Sequence, residues 1–244
     1  MFIFFQLIIS FKYKFIFIKT YKTAGSSIES YLSQFLNNND IVGPSEEYKG
    51  MNCIGDFETK GLDIYFPKKN IEKKINLKLK YFNHMPIWLI KERLGSLSNK
   101  LNYDIFNNFF KFGVIRNPFD TLVSDYCWRN SINYKDYPKS ITFNKILDQL
   151  KSNIYPTYGP LNLNKLMDKN FDKILCDKII KYENLNEELS IVFQKLGIPF
   201  SGKLEIFKKK SKRKRGYRNF YDDKSKKLIE EIFWKDMEMF GYKF

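Results

Sequence analysis

Lys22, Thr23, Ala24, Gly25, Ser26 and Ser27 set an ammonium, three hydroxyls and a glycine in one short run, a composition suited to holding a tetrahedral oxyanion. Glycine lets the backbone approach an anion, and the N–H groups of a helix start point outward with the positive end of the macrodipole behind them. A Walker loop places its lysine and Ser/Thr after the final glycine, with the hydroxyl on magnesium. Here the lysine comes first, so a magnesium nucleoside triphosphate is disfavoured and a phosphate or sulfate group held without metal is favoured.

Two further sets of residues have chemical potential. Arg116 in "VIRNPFDTLVSDY" carries a guanidinium fork that matches phosphate oxygens. Ser124 follows about two helical turns later, off the apolar stripe of Phe119, Leu122, Val123 and Tyr126, so arginine and hydroxyl together can hold one phosphate. His84 is the only histidine of the chain and stands before a helix start, where the dipole disfavours the imidazolium and favours a neutral base. Glu29, Glu92 and Asp125 are rival bases, although Glu29 and Glu92 fall within predicted helices, where a solvated face is the default.

The elements that must position these groups alternate. Residues 14–18 are β-branched and aromatic and end at the first loop. "SSIESYLSQFL" then has apolar residues at Ile28, Tyr31, Leu32, Phe35 and Leu36, a helical period. "LKLKYFNHMPIWLIKERLG" predicts a strand, a turn at His84 and Met85, and a helix with Pro86 first and Gly95 past its end. A strand at 111–115 leads through Arg116 to a helix capped by Asn117, with Pro118 first. "CDKIIKYENLNEELSIVFQKLGIP" predicts another strand and helix, with a capping-box offset at Asn184 and Glu187 and a stop at Gly197 and Pro199. A basic loop precedes a last helix over roughly 223–240. Residues 41–76 show no clear period beyond one short strand near 63–66. Strands alternating with helices predict an α/β domain over residues 1–244, a central parallel sheet with helices on both faces. Ligands then bind beyond the carboxyl ends of the strands, where the first loop, His84 and Arg116 all fall.

Composition narrows the classes. The net charge of +15 comes mostly from lysine in a chain equally rich in Asn, Ile and Phe, so it does not by itself indicate nucleic acid, which we expect not to be a partner. Cys53, Cys127 and Cys176 lack metal-ligand spacing and are odd in number, which favours reduced thiols and a reducing compartment. The apolar N-terminus is interrupted by Lys12 and Lys14 and falls short of a bilayer span, so a soluble cytoplasmic protein without a transmembrane anchor is expected.

The two loop motifs, in this order and about ninety residues apart, resemble the nucleotide-binding signatures of the carbohydrate-type sulfotransferases. Those enzymes read Pro-Lys-Thr-Ala-Gly-Thr-Ser and Arg-Asn-Pro-(Tyr/Phe/Trp)-Asp-Arg-Leu-Val-Ser. "IIKYENL", "FQKLGIP" and the ending "YRNFYDDKSKKLIEEIFWKDMEMFGYKF" also resemble the family. The resemblance implies a P-loop-NTPase-like fold and 3′-phosphoadenosine-5′-phosphosulfate (PAPS) as donor, without metal. It places Lys22 and the Thr23–Ser27 loop on the 5′-phosphosulfate, Lys22 and His84 in catalysis, and Arg116 and Ser124 on the 3′-phosphate. The acceptor is a hydroxyl, most naturally of a glycan. Arg215, Gly216 and Tyr217 match a late loop that closes over the nucleotide, and a solvated or polyanion-binding charge run is an equal reading. Tyr21 departs from the family proline and Thr121 from its arginine. A catalytically idle nucleotide- or polyanion-binding protein of the same fold is the alternative. A small-molecule kinase is disfavoured by the missing lysine after Gly25.

Overall fold

Residues 15–18, Phe-Ile-Phe-Ile, form an unbroken apolar run of the kind that suits a strand covered on both faces, and the structure builds its sheet around them. It is a computed structural model that describes residues 7–37, 40–42, 62–66, 71–75, 84–131, 141–152, 159–205, 213 and 215–244. Strands β1 (Leu7–Ser10), β2 (Phe15–Ile18), β3 (Ile41–Val42), β6 (Phe110–Ile115) and β7 (Lys178–Lys181) form one sheet in the order β3-β1-β2-β6-β7. A separate hairpin pairs β4 (Leu62–Phe66) with β5 (Ile71–Ile75).

The expected parallel sheet is present as β2, β6 and β7, and β1 and β3 extend it antiparallel beyond β2. The turn between β1 and β2 spans only residues 11–14, too few for a parallel crossover, so those strands make a hairpin. Side chains alternate across the sheet as the two-residue period requires. Phe15 and Phe17 pack with Ile28 and Leu32 of α1 (Gly25–Leu32) and with Leu189, Val192 and Phe193 of α6 (Leu185–Leu196). Ile16 and Ile18 point the other way, onto Ile87, Ile90, Leu94 and Leu97 of α2 (Ile87–Leu101). All four residues of β2 are fully buried, and each contributes about 1.5–3 kcal/mol by that burial. Helices therefore cover both faces.

The remaining helices are α3 (Ile105–Asn108), α4 (Pro118–Ser131), α5 (Phe143–Lys151), α7 (Asp223–Ile232) and α8 (Trp234–Phe240). Several expected boundaries move. Gly95 does not end α2: Leu94, Leu97 and Leu101 continue its buried stripe, and that packing outweighs the roughly 1 kcal/mol cost of an interior glycine. Asn102, in the left-handed region at φ 51°, ends the helix instead. Asn184 makes no side-chain cap, because a 3₁₀ turn over Tyr182–Asn184 leads into α6. The last helix breaks at Phe233 into α7 and α8, and Gly241 then stops it as expected. Helix α4 begins as read, with Asn117 Oδ1 accepting from the Phe119 N–H at 3.0 Å. The strand expected just before His84 and the residue Cys53 lie outside the described residues, while Cys127 and Cys176 are free thiols. Among the described residues no helix is long and apolar enough to cross a membrane.

Candidate functional site

Because β2 and β6 are parallel neighbours, the loops leaving their carboxyl ends must lie side by side. A hydrogen bond joins the two directly: Arg116 Nη1 donates to the Lys22 carbonyl at 2.9 Å, across 94 positions of sequence. The two motifs read separately thus form one site.

The loop after β2 is shaped from beneath by a buried ion pair. Lys19 Nζ lies 2.8 Å from Glu29 Oε2 and donates to Ser26 Oγ at 3.0 Å. Burial pulls the Lys19 pKa down, and Glu29 opposes that pull. Glu29 is therefore not the solvated helix residue expected, and neither it nor Lys19 is exposed to act as a base. Ser26 Oγ accepts from Lys19, which leaves its own proton to donate elsewhere. Gly25 is required here sterically: a Cβ would stand 2.6 Å from Lys19 Cγ.

Lys22 and Ala24 both sit in the left-handed region, at φ 61° and 60°. Such strain concentrates where surrounding structure enforces it, often at binding sites. The backbone N–H groups of Thr23, Ala24, Gly25 and Ser26 have no acceptor among the described residues. These four consecutive donors sit at the start of α1, where its dipole adds positive potential. Thr23 supplies only its N–H, since its hydroxyl is spent on Thr20 Oγ1 at 2.7 Å and the Thr20 carbonyl at 3.2 Å. Ser27 is buried, with its N–H on the Ala24 carbonyl at 2.8 Å. Lys22 Nζ lies 4.6 Å from the centre of the Trp128 ring of α4.

Arg116 is held in a fork. Nε and Nη2 both donate to Asp120 Oδ2, at 2.9 and 2.6 Å, and the guanidinium stacks 4.1 Å over Tyr182. Arg213 donates to the other Asp120 oxygen. Burial alone would raise the Asp120 carboxyl, but the two arginines outweigh it and hold it below the usual carboxylate range. Ser124 is 9% exposed, and its hydroxyl has no partner among the described residues. Arg215 and Gly216 are exposed, whereas Tyr217 stacks on Phe119 at 6.3 Å and so serves packing as well as any ligand.

His84 also adopts the left-handed region, at φ 54°, with Nδ1 3.2 Å from the Lys19 carbonyl. A carbonyl only accepts, so that contact puts a proton on Nδ1, and in the neutral imidazole the lone pair then falls on Nε2. Of the rival bases, Glu92 is exposed and Asp125 is fully buried, ion-paired to Arg129 at 2.9 Å. Among the described residues no cluster of three His, Cys, Asp or Glu side chains could hold a metal.

Sequence reading missed Lys19, Asp120, Asn162, Lys165 and Arg213. Lys165 is the least expected: fully buried, with Nζ donating to the Gly159 carbonyl, and with burial lowering its pKa to about 7. Between that value and its ordinary 10.5, the unfolded chain binds a proton that the folded chain does not. Stability therefore rises with pH across this window, by up to about 1.4 kcal/mol per pH unit. Urea unfolding across the window is expected to show this slope in the wild type and to lose it in Lys165→Met; equal slopes would mean the amine is not buried as described.

The model of the sulfotransferase family matches residues 5–243. An uncharacterized protein of Archaeoglobus fulgidus is 32% identical over 117 residues, covering 47% of this chain and 84% of that protein. The chain is also similar to the crystal structure of mouse sulfotransferase SULT7A1 complexed with PAP, at TM-score 0.48 and 15% identity over 93% of this chain and 85% of that one. A sulfotransferase from Alicyclobacillus acidocaldarius gives TM-score 0.44 and 12% identity over 93% and 96% of the two chains.

Proposed function

The chain belongs to the sulfotransferase family, and from that premise we propose that it moves a sulfuryl group from PAPS to a hydroxyl of a carbohydrate acceptor. One observation carries the donor assignment: four consecutive N–H groups, of Thr23 to Ser26, lack an acceptor among the described residues at the start of α1. Backbone donors without partners are costly unless something fills them, and an anionic phosphosulfate does so. The carbohydrate acceptor is supported by the resemblance of both loop motifs to the carbohydrate-type members.

In this reading the acceptor oxygen attacks sulfur in line, forming one S–O bond as the bond from sulfur to the 5′-phosphate oxygen breaks. His84 Nε2 takes the acceptor proton as general base. Lys22 and the loop N–H groups stabilise charge developing on the leaving phosphate, the electrostatic work that dominates such transfers. Arg116 and Ser124 hold the 3′-phosphate, and Arg215, Gly216 and Tyr217 close over the nucleotide beside Arg213.

Isothermal titration with 3′-phosphoadenosine-5′-phosphate (PAP), without magnesium, tests the donor site. Wild type is expected to bind, and Arg116→Ala to bind roughly tenfold to a hundredfold more weakly, the loss of charge-assisted hydrogen bonds of about 1.5–3 kcal/mol. Binding of ATP–magnesium or heparin in place of PAP would overturn the assignment. PAP binding with no transfer to any hydroxyl acceptor would favour the catalytically idle reading.

A further inference from the structure

Tyr21 stands where the resembling motif carries proline, and the structure engages every polar group it has. Its N–H donates to Asn162 Oδ1 at 2.7 Å, and its carbonyl accepts from Asn162 Nδ2 at 2.9 Å. One amide side chain, 141 positions away, thus closes a ring on this residue's backbone. The phenol donates to Asp125 Oδ1, on a carboxylate with no exposure that Arg129 balances. The ring faces Lys165 Nζ at 5.6 Å on one side. It meets the His84 imidazole edge-on, with centroids 5.4 Å apart and planes at 73°.

Proline at this position would supply neither the N–H, the phenol nor the aromatic wall. The imidazole benefits from that wall. Its bond to the Lys19 carbonyl, at 3.2 Å, lies at the long end of the range and fixes one ring nitrogen without fixing the plane of the ring. An aromatic neighbour meeting it edge-to-face restrains that plane, provided the neighbour is itself immobile. Asp125 and Asn162 make it so, one from α4 and the other from the segment before β7.

We propose that Tyr21 is the positioning residue of His84: anchored through its phenol on the buried Asp125, its ring holds the imidazole in the plane that keeps Nδ1 on the Lys19 carbonyl and so sets the direction of Nε2. This rests on the reading of His84 as general base. It assigns to Asp125 a supporting role two contacts from the reaction, and it gives the departure from proline a purpose in catalysis rather than in loop shape alone.

Tyr21→Phe removes the anchoring oxygen and keeps the ring. With PAPS and a hydroxyl acceptor, kcat is expected to fall about tenfold while KM for PAPS and the affinity for PAP stay within about twofold, since the loop donors are untouched. Because His84 is the only histidine, its ¹⁵N and ¹³C signals report the imidazole directly. They are expected to shift from one fixed tautomer toward an average of both in Tyr21→Phe. Unchanged kcat together with an unchanged imidazole spectrum would overturn the proposal. So would a uniform loss of PAP affinity and kcat, which marks a merely structural role. Should Tyr21→Phe fail to fold, the wild type decides: nuclear Overhauser contacts between the Tyr21 ring and the imidazole are expected, and their absence overturns the proposal. Full activity in His84→Asn would sink the base assignment itself, while the imidazole spectrum of Tyr21→Phe still reports whether Tyr21 orients the ring.

Discussion

His84→Asn is expected to lower kcat by about 10²- to 10⁴-fold, the usual contribution of a positioned general base, while PAP still binds as tightly as to the wild type. Asparagine is the replacement to choose for two reasons. The backbone at His84 lies at φ 54°, a conformation that asparagine tolerates better than most side chains. Its amide can also donate to the Lys19 carbonyl as Nδ1 does, so the fold of the loop is preserved and only the lone pair on Nε2 is lost. Transfer rates from PAPS, measured beside PAP titrations, separate the two quantities. A variant that kept its rate would move the base elsewhere, and Asp125 and Glu29 are poor heirs because both are buried and ion-paired.

Breaking the Lys19–Glu29 pair is the second large effect. Glu29→Gln leaves the ammonium without its counter-charge in a site where both side chains are only 4% exposed, and an orphaned buried charge costs about 3–5 kcal/mol. The loss is expected in urea unfolding at neutral pH. The double variant Lys19→Met with Glu29→Leu should recover most of it, since replacing a buried pair by apolar side chains is often neutral. Yet it would not recover PAP affinity, because Ser26 loses the bond that orients its hydroxyl. Equal stability of the single variant and the wild type would show that the pair is not buried as described.

The parts of the site that sequence exposes are the local ones. Gly25, the hydroxyls around it and the helical period after it are all within one short run. Arg116 and the loop were each legible as groups at the carboxyl end of a strand; that the two strands are neighbours is what the structure adds. What stayed hidden connects distant positions without a local mark. The phenol of Tyr21 reaches Asp125 across 104 residues and its backbone reaches Asn162 across 141, and no spacing rule links such pairs. Lys165 reads as a surface cation in a lysine-rich chain, although it has no exposure. Other failures were of weighting. Gly95 looked like a stop because its propensity is poor, and the buried leucines on either side of it prevailed. Helix α5 did carry a readable signal: Thr142 accepts from the Lys145 N–H at 3.2 Å as an N-cap, and Ile146, Leu147 and Leu150 form its buried face.

Asp120 has a consequence of another kind. As the molecule stands, Arg116 and Arg213 already share an anion, the Asp120 carboxylate. With the 3′-phosphate on Arg116 as proposed, binding is an ion exchange and not the filling of a bare cationic hole. The guanidinium arrives oriented and is never stripped to a lone charge. A phosphate that departs gives way to a carboxylate already in reach. Such an exchanger is poorly loaded by chloride or by a single carboxylate, which gain nothing over the resident anion, and is loaded well by a doubly charged phosphate. The acidic residue beside that arginine thus keeps it charge-compensated before any phosphate arrives.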